Sequence, residues 1–169
     1  MQLSSLFLSA TALLAQAASA DYLLYSSNQP GWFTPVPAQI QTRPPAGYLP
    51  GSVGFTTTRS KNAEIALDTE GDIGSKFFLL QTAQTTWALH SKEHTNFPIT
   101  EPGDLLVITR PFAVDESARL VYTGTEVEDA VWVACKQKRG YSFSTIYLTA
   151  VSSIPDESCR EVDLYTKTA

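Results

Sequence analysis

The sequence predicts an all-β protein: a single-domain antiparallel sandwich or barrel closed by one disulfide. Three observations carry this. After Asp21 no stretch keeps the 3.6-residue apolar period of an amphipathic helix. Short apolar or alternating runs recur instead at about ten-residue spacing, separated by Gly, Pro, Asp and Ser. The only two cysteines, Cys135 and Cys159, form the even pair expected of a secreted chain. A β-trefoil is the alternative that fits the length, although three equivalent units do not align.

Residues 1–20 carry no charged side chain. An apolar stretch from Leu6 to Leu14 precedes small residues ending Ala18-Ser19-Ala20. That is the pattern of a secretory signal peptide cut before Asp21. The run is too short, and too broken by Ser, Thr and Gln, for a membrane span. Residues 21–169 then form a single secreted β domain, long enough for one real core.

The first strand is expected at 22–25. Between 29 and 50 lie six of the ten prolines: Pro30, Pro35, Pro37, Pro44, Pro45 and Pro50. A central strand cannot carry them, because each removes a ladder donor. This segment is therefore expected to run extended along sheet edges, with Trp32, Phe33, Ile40 and Tyr48 packing inward. Further strands are expected at 76–81, 86–90, 105–109, 119–123, 131–136, 144–150 and 162–165. These runs are rich in Val, Ile, Leu, Thr, Tyr and Phe, which suit a pleated surface. In 144–150, Ile146 and Leu148 alternate with Thr145, Tyr147 and Thr149, so one face is expected to be buried and the other wet.

Seventeen acidic against twelve basic residues give a net charge of −5, which does not attract phosphate backbones. Nucleic acid is excluded as a partner on that ground. An apolar and aromatic content of 43% argues against disorder. The cysteine pair closes a loop of about 25 residues, worth roughly 3.5 kcal/mol in the chain-entropy model.

Candidate chemistry is sparse. His90-Ser-Lys-Glu93-His94 matches H-x-x-E-H, a zinc-hydrolase signature. That chemistry needs a helix to bring both imidazoles to one metal. Here a strand-like run precedes the motif and Pro98 follows it, so the match is read as fortuitous and placed in a polar hairpin connection. No G-x-S-x-G is present for a serine nucleophile. Asp68, Glu70 and Asp72, and Glu126, Glu128 and Asp129, are read as solvated turns rather than a glycosidase pair. The first cluster also lacks a twelve-residue calcium loop. Lys136-Gln-Lys138-Arg139-Gly140 is read as the turn of a hairpin, with dibasic processing after Arg139 as the rival. Trp32, Trp87 and Trp132 are candidate stacking residues for sugar rings, since aromatic faces suit their C–H faces. No N-x-[ST] sequon is present; Thr56–Thr58 and Thr85-Thr86 are candidates for O-linked sugar. Nothing in the sequence calls for a cofactor or a metal.

The C-terminal third, with Trp132-Val-Ala134-Cys135, a basic turn, Tyr141 and Tyr147, then Cys159 and Val162-Asp-Leu164, resembles a family of small secreted fungal cell-wall proteins. This is the family of the phialide protein and related IgE-binding antigens. The chain departs from that pattern in lacking further cysteines and Gly-rich stretches. The resemblance implies a non-catalytic all-β protein of the fungal wall or extracellular space, with no catalytic residue to carry over. The expected role is thus a wall-associated or structural extracellular protein. A binding module or effector recognising carbohydrate or a host protein is the second reading, and a hydrolase a remote third.

Overall fold

In the computed structural model the described residues are 20–26, 36–46, 48–56, 61–95, 107–137 and 142–168. In chain order the strands are β1 (Ala20–Ser26), β2 (Val36–Pro37), β3 (Gln39–Ile40), β4 (Val53–Phe55), β5 (Lys61–Asn62), β6 (Glu64–Leu67), β7 (Phe77–Ala83), β8 (Thr86–Ser91), β9 (Val107–Ile108), β10 (Phe112–Val114), β11 (Leu120–Tyr122), β12 (Ala130–Lys136), β13 (Ser144–Ala150), β14 (Cys159–Glu161) and β15 (Tyr165–Thr168). A single 3-10 turn, Val151–Ser153, follows β13. Every strand pairing is antiparallel. The all-β class holds, as a sandwich: the described strands close neither a barrel nor a trefoil. No described helix is long and apolar enough to cross a membrane.

β10 and β11 pair separately as a two-stranded sheet. The smaller of the two main sheets is built on β1, which pairs with β15 along one edge and with β6 and then β2 along the other. The larger sheet is built on β13. One edge of β13 pairs with β12 over all seven residues, and the other meets β4 and then β8. Beyond β8 come β7 and β9; beyond β4 come β3 and β5; beyond β12 comes β14. The sheets share one core. Leu24, Val36 and Ile65 of the smaller sheet lie in the same cluster as Leu79, Leu89, Trp132, Ile146 and Leu148 of the larger.

The Pro-rich segment follows the expected edge course only in part: Gln39–Ile40 (β3), which carries no proline, lies between β4 and β5 with both of its edges paired. Pro37 sits in the two-residue β2, which pairs with β1 alone, so its missing N–H breaks no interior ladder. Ile40 is buried and Tyr48 half-buried. Trp32 and Phe33 lie outside the described residues, as do residues 1–19, where a signal peptide is expected.

Two expectations change. The strand expected at 162–165 is instead a crossover. Val162 and Leu164 are buried, but they lie between β14, on the larger sheet, and β15, on the smaller. Their alternation reflects a chain packed against the core while it changes sheets. The second concerns β13. Thr145 and Thr149 are buried and Tyr147 is half-buried, so the outer face is not wet. The neighbouring strand β8 is likewise buried along its whole length, so the middle of this sheet is shielded on its outer side except where a groove opens at Tyr147.

Cys135 and Cys159 are directly opposed on β12 and β14 and joined by a disulfide with S–S 2.07 Å. The bridge pins the three-residue β14 to the sheet edge. Gly54 in β4 is needed for close approach: a Cβ there would lie 2.1 Å from the Ser144 carbonyl oxygen. Gly71 adopts φ +75°, and a Cβ there would lie 2.2 Å from the Phe112 carbonyl oxygen.

Candidate functional site

Strand alternation sorts the side chains of the larger sheet into two sets. Trp132, Leu148 and Trp87 are cross-strand neighbours facing the core. Val133, Tyr147, Thr149, Thr86, Ala88 and His90 point the other way. Chemistry, if it lies on this sheet, belongs to the outer set.

His90 and His94 lie on different elements, the strand β8 and the turn after it, and not on one helix face. His90 is a buried strand residue, 2% exposed, with its ring stacked on Phe78 at 5.6 Å. This corrects its placement in a polar connection; only Glu93 and His94 lie on a turn. A ring N–H of His90 donates to the Pro50 carbonyl, while Nδ1 finds no partner among the described residues. Burial disfavours its charged form and lowers its pKa to about 4, against the opposing effect of the Pro50 bond. Glu93 points to solvent and pairs with Lys61 at 2.9 Å. Among the described residues no three His, Cys, Asp or Glu side chains are placed to share a metal.

The acidic cluster at 68–72 ties its own turn together. Asp68 Oδ1 accepts from the Glu70 and Asp72 amides at 2.8 and 2.9 Å. A separate concavity of about 300 Å³ carries Lys61, Lys76, Lys92, Glu64 and Glu93. Its charges largely cancel: Lys61 pairs with Glu93, and Lys76 with Asp21 at 2.8 Å.

Of the three tryptophans expected to stack on sugar, Trp32 lies outside the described residues. Trp87 and Trp132 are 3% and 6% exposed and belong to the core, so neither offers a ring face to a sugar. Their apolar bulk is spent between the sheets. The Trp132 indole N–H donates to the Leu120 carbonyl at 2.8 Å.

What the outer face does hold is a groove of about 500 Å³ over the disulfide, lined by Tyr48, Thr82, Thr86, Gln137, Tyr147 and Asp156 among others. Val133, Cys135 and Cys159 form a small apolar cluster at its base, with Val131 and Tyr147 packed against it. Burial pushes the Tyr147 phenol above its usual range, opposed by a hydrogen bond with Thr145 and helped by nearby Tyr48 and Asp156. The phenol is therefore neutral over the physiological range. Asp156 accepts from the Ser158 amide at 2.6 Å, and its bonds with Ser158 hold its carboxyl below the usual range. It is the single carboxylate among the described lining residues, where glycoside hydrolysis uses two.

The groove is held by polar ties between distant segments. Gln137 and Gln41 exchange two amide hydrogen bonds, 2.9 and 3.2 Å, which dock the Pro-rich segment on the end of β12. Gln137 also donates to Thr145 at 3.2 Å. Thr149 and Thr86 share a hydroxyl bond of 3.1 Å, and Thr149 donates to the Thr85 carbonyl at 2.9 Å. A β-bulge at Thr82 shifts the register of β7 against β8 beside the groove. Hydroxyls, amides and two phenols thus line the concavity, together with one cation, Lys136, and one carboxylate, Asp156. Such a surface exchanges hydrogen bonds with a neutral, hydroxyl-rich ligand and stacks on its apolar faces.

Of the site residues proposed from sequence, Cys135 and Cys159 are here and Trp87 and Trp132 are not. Tyr48 and Tyr147 were not singled out as ligand contacts. The alternation of 144–150 did carry the signal for Tyr147, opposite in phase to Ile146 and Leu148. The dibasic pair at 138–139 lies outside the described residues, although β12 and β13 do form the expected hairpin. No protein-family model matches this chain, and no curated protein or solved structure matches it either.

Proposed function

We propose that this is a secreted, non-catalytic β-sandwich protein of the fungal wall or extracellular space, which binds wall polysaccharide through the groove over Cys135–Cys159. The single observation behind the binding role is the groove's composition: Tyr48 and Tyr147 among hydroxyl and amide side chains, on a base pinned by a disulfide. Rings with one polar edge suit sugar, which presents C–H faces and hydroxyl rims. The signal-peptide pattern and the cysteine pair support secretion. The resemblance of the C-terminal third supports the wall.

The test is co-sedimentation of the oxidised protein with insoluble chitin and with β-glucan, alongside Tyr147→Ala. Saturable binding to one polymer, weakened about tenfold or more by the substitution, is the expected result. Absence of binding to both polymers overturns the reading.

A further inference from the structure

We propose that the ligand is an extended polysaccharide chain crossing the tip of the β7–β8 hairpin, held on one side in the groove and on the other in a second cleft above Trp87. This deepens the proposed function and depends on it. The second cleft, of about 440 Å³, is lined by Gln81, Gln84, Trp87, Thr109, Arg110 and Glu126, with Val107 and Ile108.

Three observations carry the proposal. The clefts share a residue: Gln84, at the hairpin tip, lines both. The bulge at Thr82 divides the hairpin between them, with Gln81 and Trp87 opposed on one side and Thr82 and Thr86 on the other. A chain leaving the groove therefore passes Gln84 at the tip and reaches the second cleft on the opposite face of the hairpin.

Second, Trp87 is 3% exposed and its Nε1–H has no acceptor among the described residues. Trp132, equally a core residue, has its N–H satisfied by Leu120. Buried donors are almost always paired, so this unpaired indole N–H, covered by the side chains lining the second cleft, is a donor that an acceptor would satisfy once those side chains move aside for a ligand.

Third, the remaining lining groups have hydrogen-bonding capacity to spare. Glu126 accepts from the Tyr122 hydroxyl, yet a carboxylate has further lone pairs. Arg110 makes one ion pair, with Glu70 at 3.6 Å, and a guanidinium carries five donors. Two amides, a hydroxyl, a cation and an anion around one indole donor suit a ligand whose every hydroxyl both donates and accepts. A ligand of single charge sign would meet one of Arg110 and Glu126 unfavourably.

The experiment is a titration of the ¹⁵N-labelled, oxidised full chain with linear β-1,3-glucan and chitin hexamers and the corresponding dimers, followed by amide and indole N–H resonances. The Trp87 indole N–H reports the second cleft, Tyr147 and Thr86 amides report the groove, and the Trp132 indole N–H is the internal control. One hexamer is expected to shift Trp87 and the groove amides along a single saturation curve, leaving Trp132 in place. Its dimer is expected to bind at least about tenfold more weakly, because it cannot engage both clefts. Glu126→Gln, a change at an exposed side chain, is expected to weaken the hexamer by about threefold or more and to leave groove binding of the dimer unchanged. Groove shifts without a Trp87 shift at any length overturn the second cleft and leave the groove reading standing. Different saturation curves for the two reporters overturn the single chain. Silence of all reporters with every oligomer overturns both readings.

Discussion

The inner and outer faces of the larger sheet come from the same strands, yet they obey different rules. The inner face is apolar from Leu79 through Leu89 to Ile146 and Leu148, and the Trp132 N–H on it is paired. The outer face mixes a small apolar cluster around the disulfide with Thr86, Thr149, Tyr147 and the neutral His90. The inner face gains from burial in proportion to area. On the outer face each buried polar group costs free energy unless it finds a partner, so contacts there are specific and individually sensitive. Stability and groove recognition are thereby separated by the pleat of a strand, with Trp87, a core residue that also lines the second cleft, as the exception.

Several substitutions would break or sharpen that contrast. The largest effect is expected inside. Leu148→Ala removes a buried side chain from the shared core and is expected to cost about 2–5 kcal/mol in urea unfolding. Carbohydrate binding by the protein that remains folded should be unchanged. A stability loss well below 1 kcal/mol would mean that the inner face is not the stabilising one.

Next is the disulfide. Replacing both cysteines by alanine is expected to cost about 3.5 kcal/mol by calorimetry. It should also lower groove affinity, since β14 loses its tie to β12. Intact binding in the double variant would detach the groove from the bridge.

His90 sets an acid limit on the outer face. Its folded pKa is about 4 against 6.5 for the free group. Above pH 6.5 both states hold the ring neutral and its contribution is complete. As pH falls from 6.5 towards 4 the unfolded chain takes up a proton that the folded chain refuses. Stability then declines by up to about 1.4 kcal/mol per pH unit, some 3 kcal/mol in all. Below about 4 both states are protonated and the decline stops. His90→Gln keeps a donor for the Pro50 carbonyl and cannot titrate, so its unfolding free energy should lose this slope between pH 6.5 and 4.5. Parallel pH profiles for the two proteins would show that His90 is not buried neutral.

Thr149→Val should have a smaller effect. It leaves the buried Thr86 hydroxyl without its partner and is expected to cost about 1–3 kcal/mol in the same assay. A neutral result would place water at that position. Tyr147→Ala is the mildest for stability, since the ring is only half-buried, and its expected effect is on polysaccharide binding.

The long strands were legible in the sequence. Residues 76–81, 86–90, 131–136 and 144–150 carry enough alternation and β-branched content to declare themselves, and they fall on β7, β8, β12 and β13. The two- to four-residue strands β2 to β6 were not, because so few residues hold no period; partners elsewhere in the chain define them. The same limit misread 162–165, where apolar residues at alternate positions serve a crossover as well as they serve a strand. At the site, the cysteines were legible as a pair. His90 was not legible as a buried residue, nor Trp87 and Trp132 as core residues, because polar and amphipathic side chains give no sign of which face their strand presents.

By itself the sequence determined the class of fold, the disulfide partners and the confinement of proline to edges. All three follow from local rules: periodicity, cysteine count and a missing N–H. Only the tertiary structure decided which face of each strand is inner, which polar groups find partners, and that Tyr48, Tyr147 and the 82–86 hairpin converge on one groove. Those outcomes depend on residues as far apart as Gln41 and Gln137, and a contact across 96 positions leaves no mark on the chain near either end.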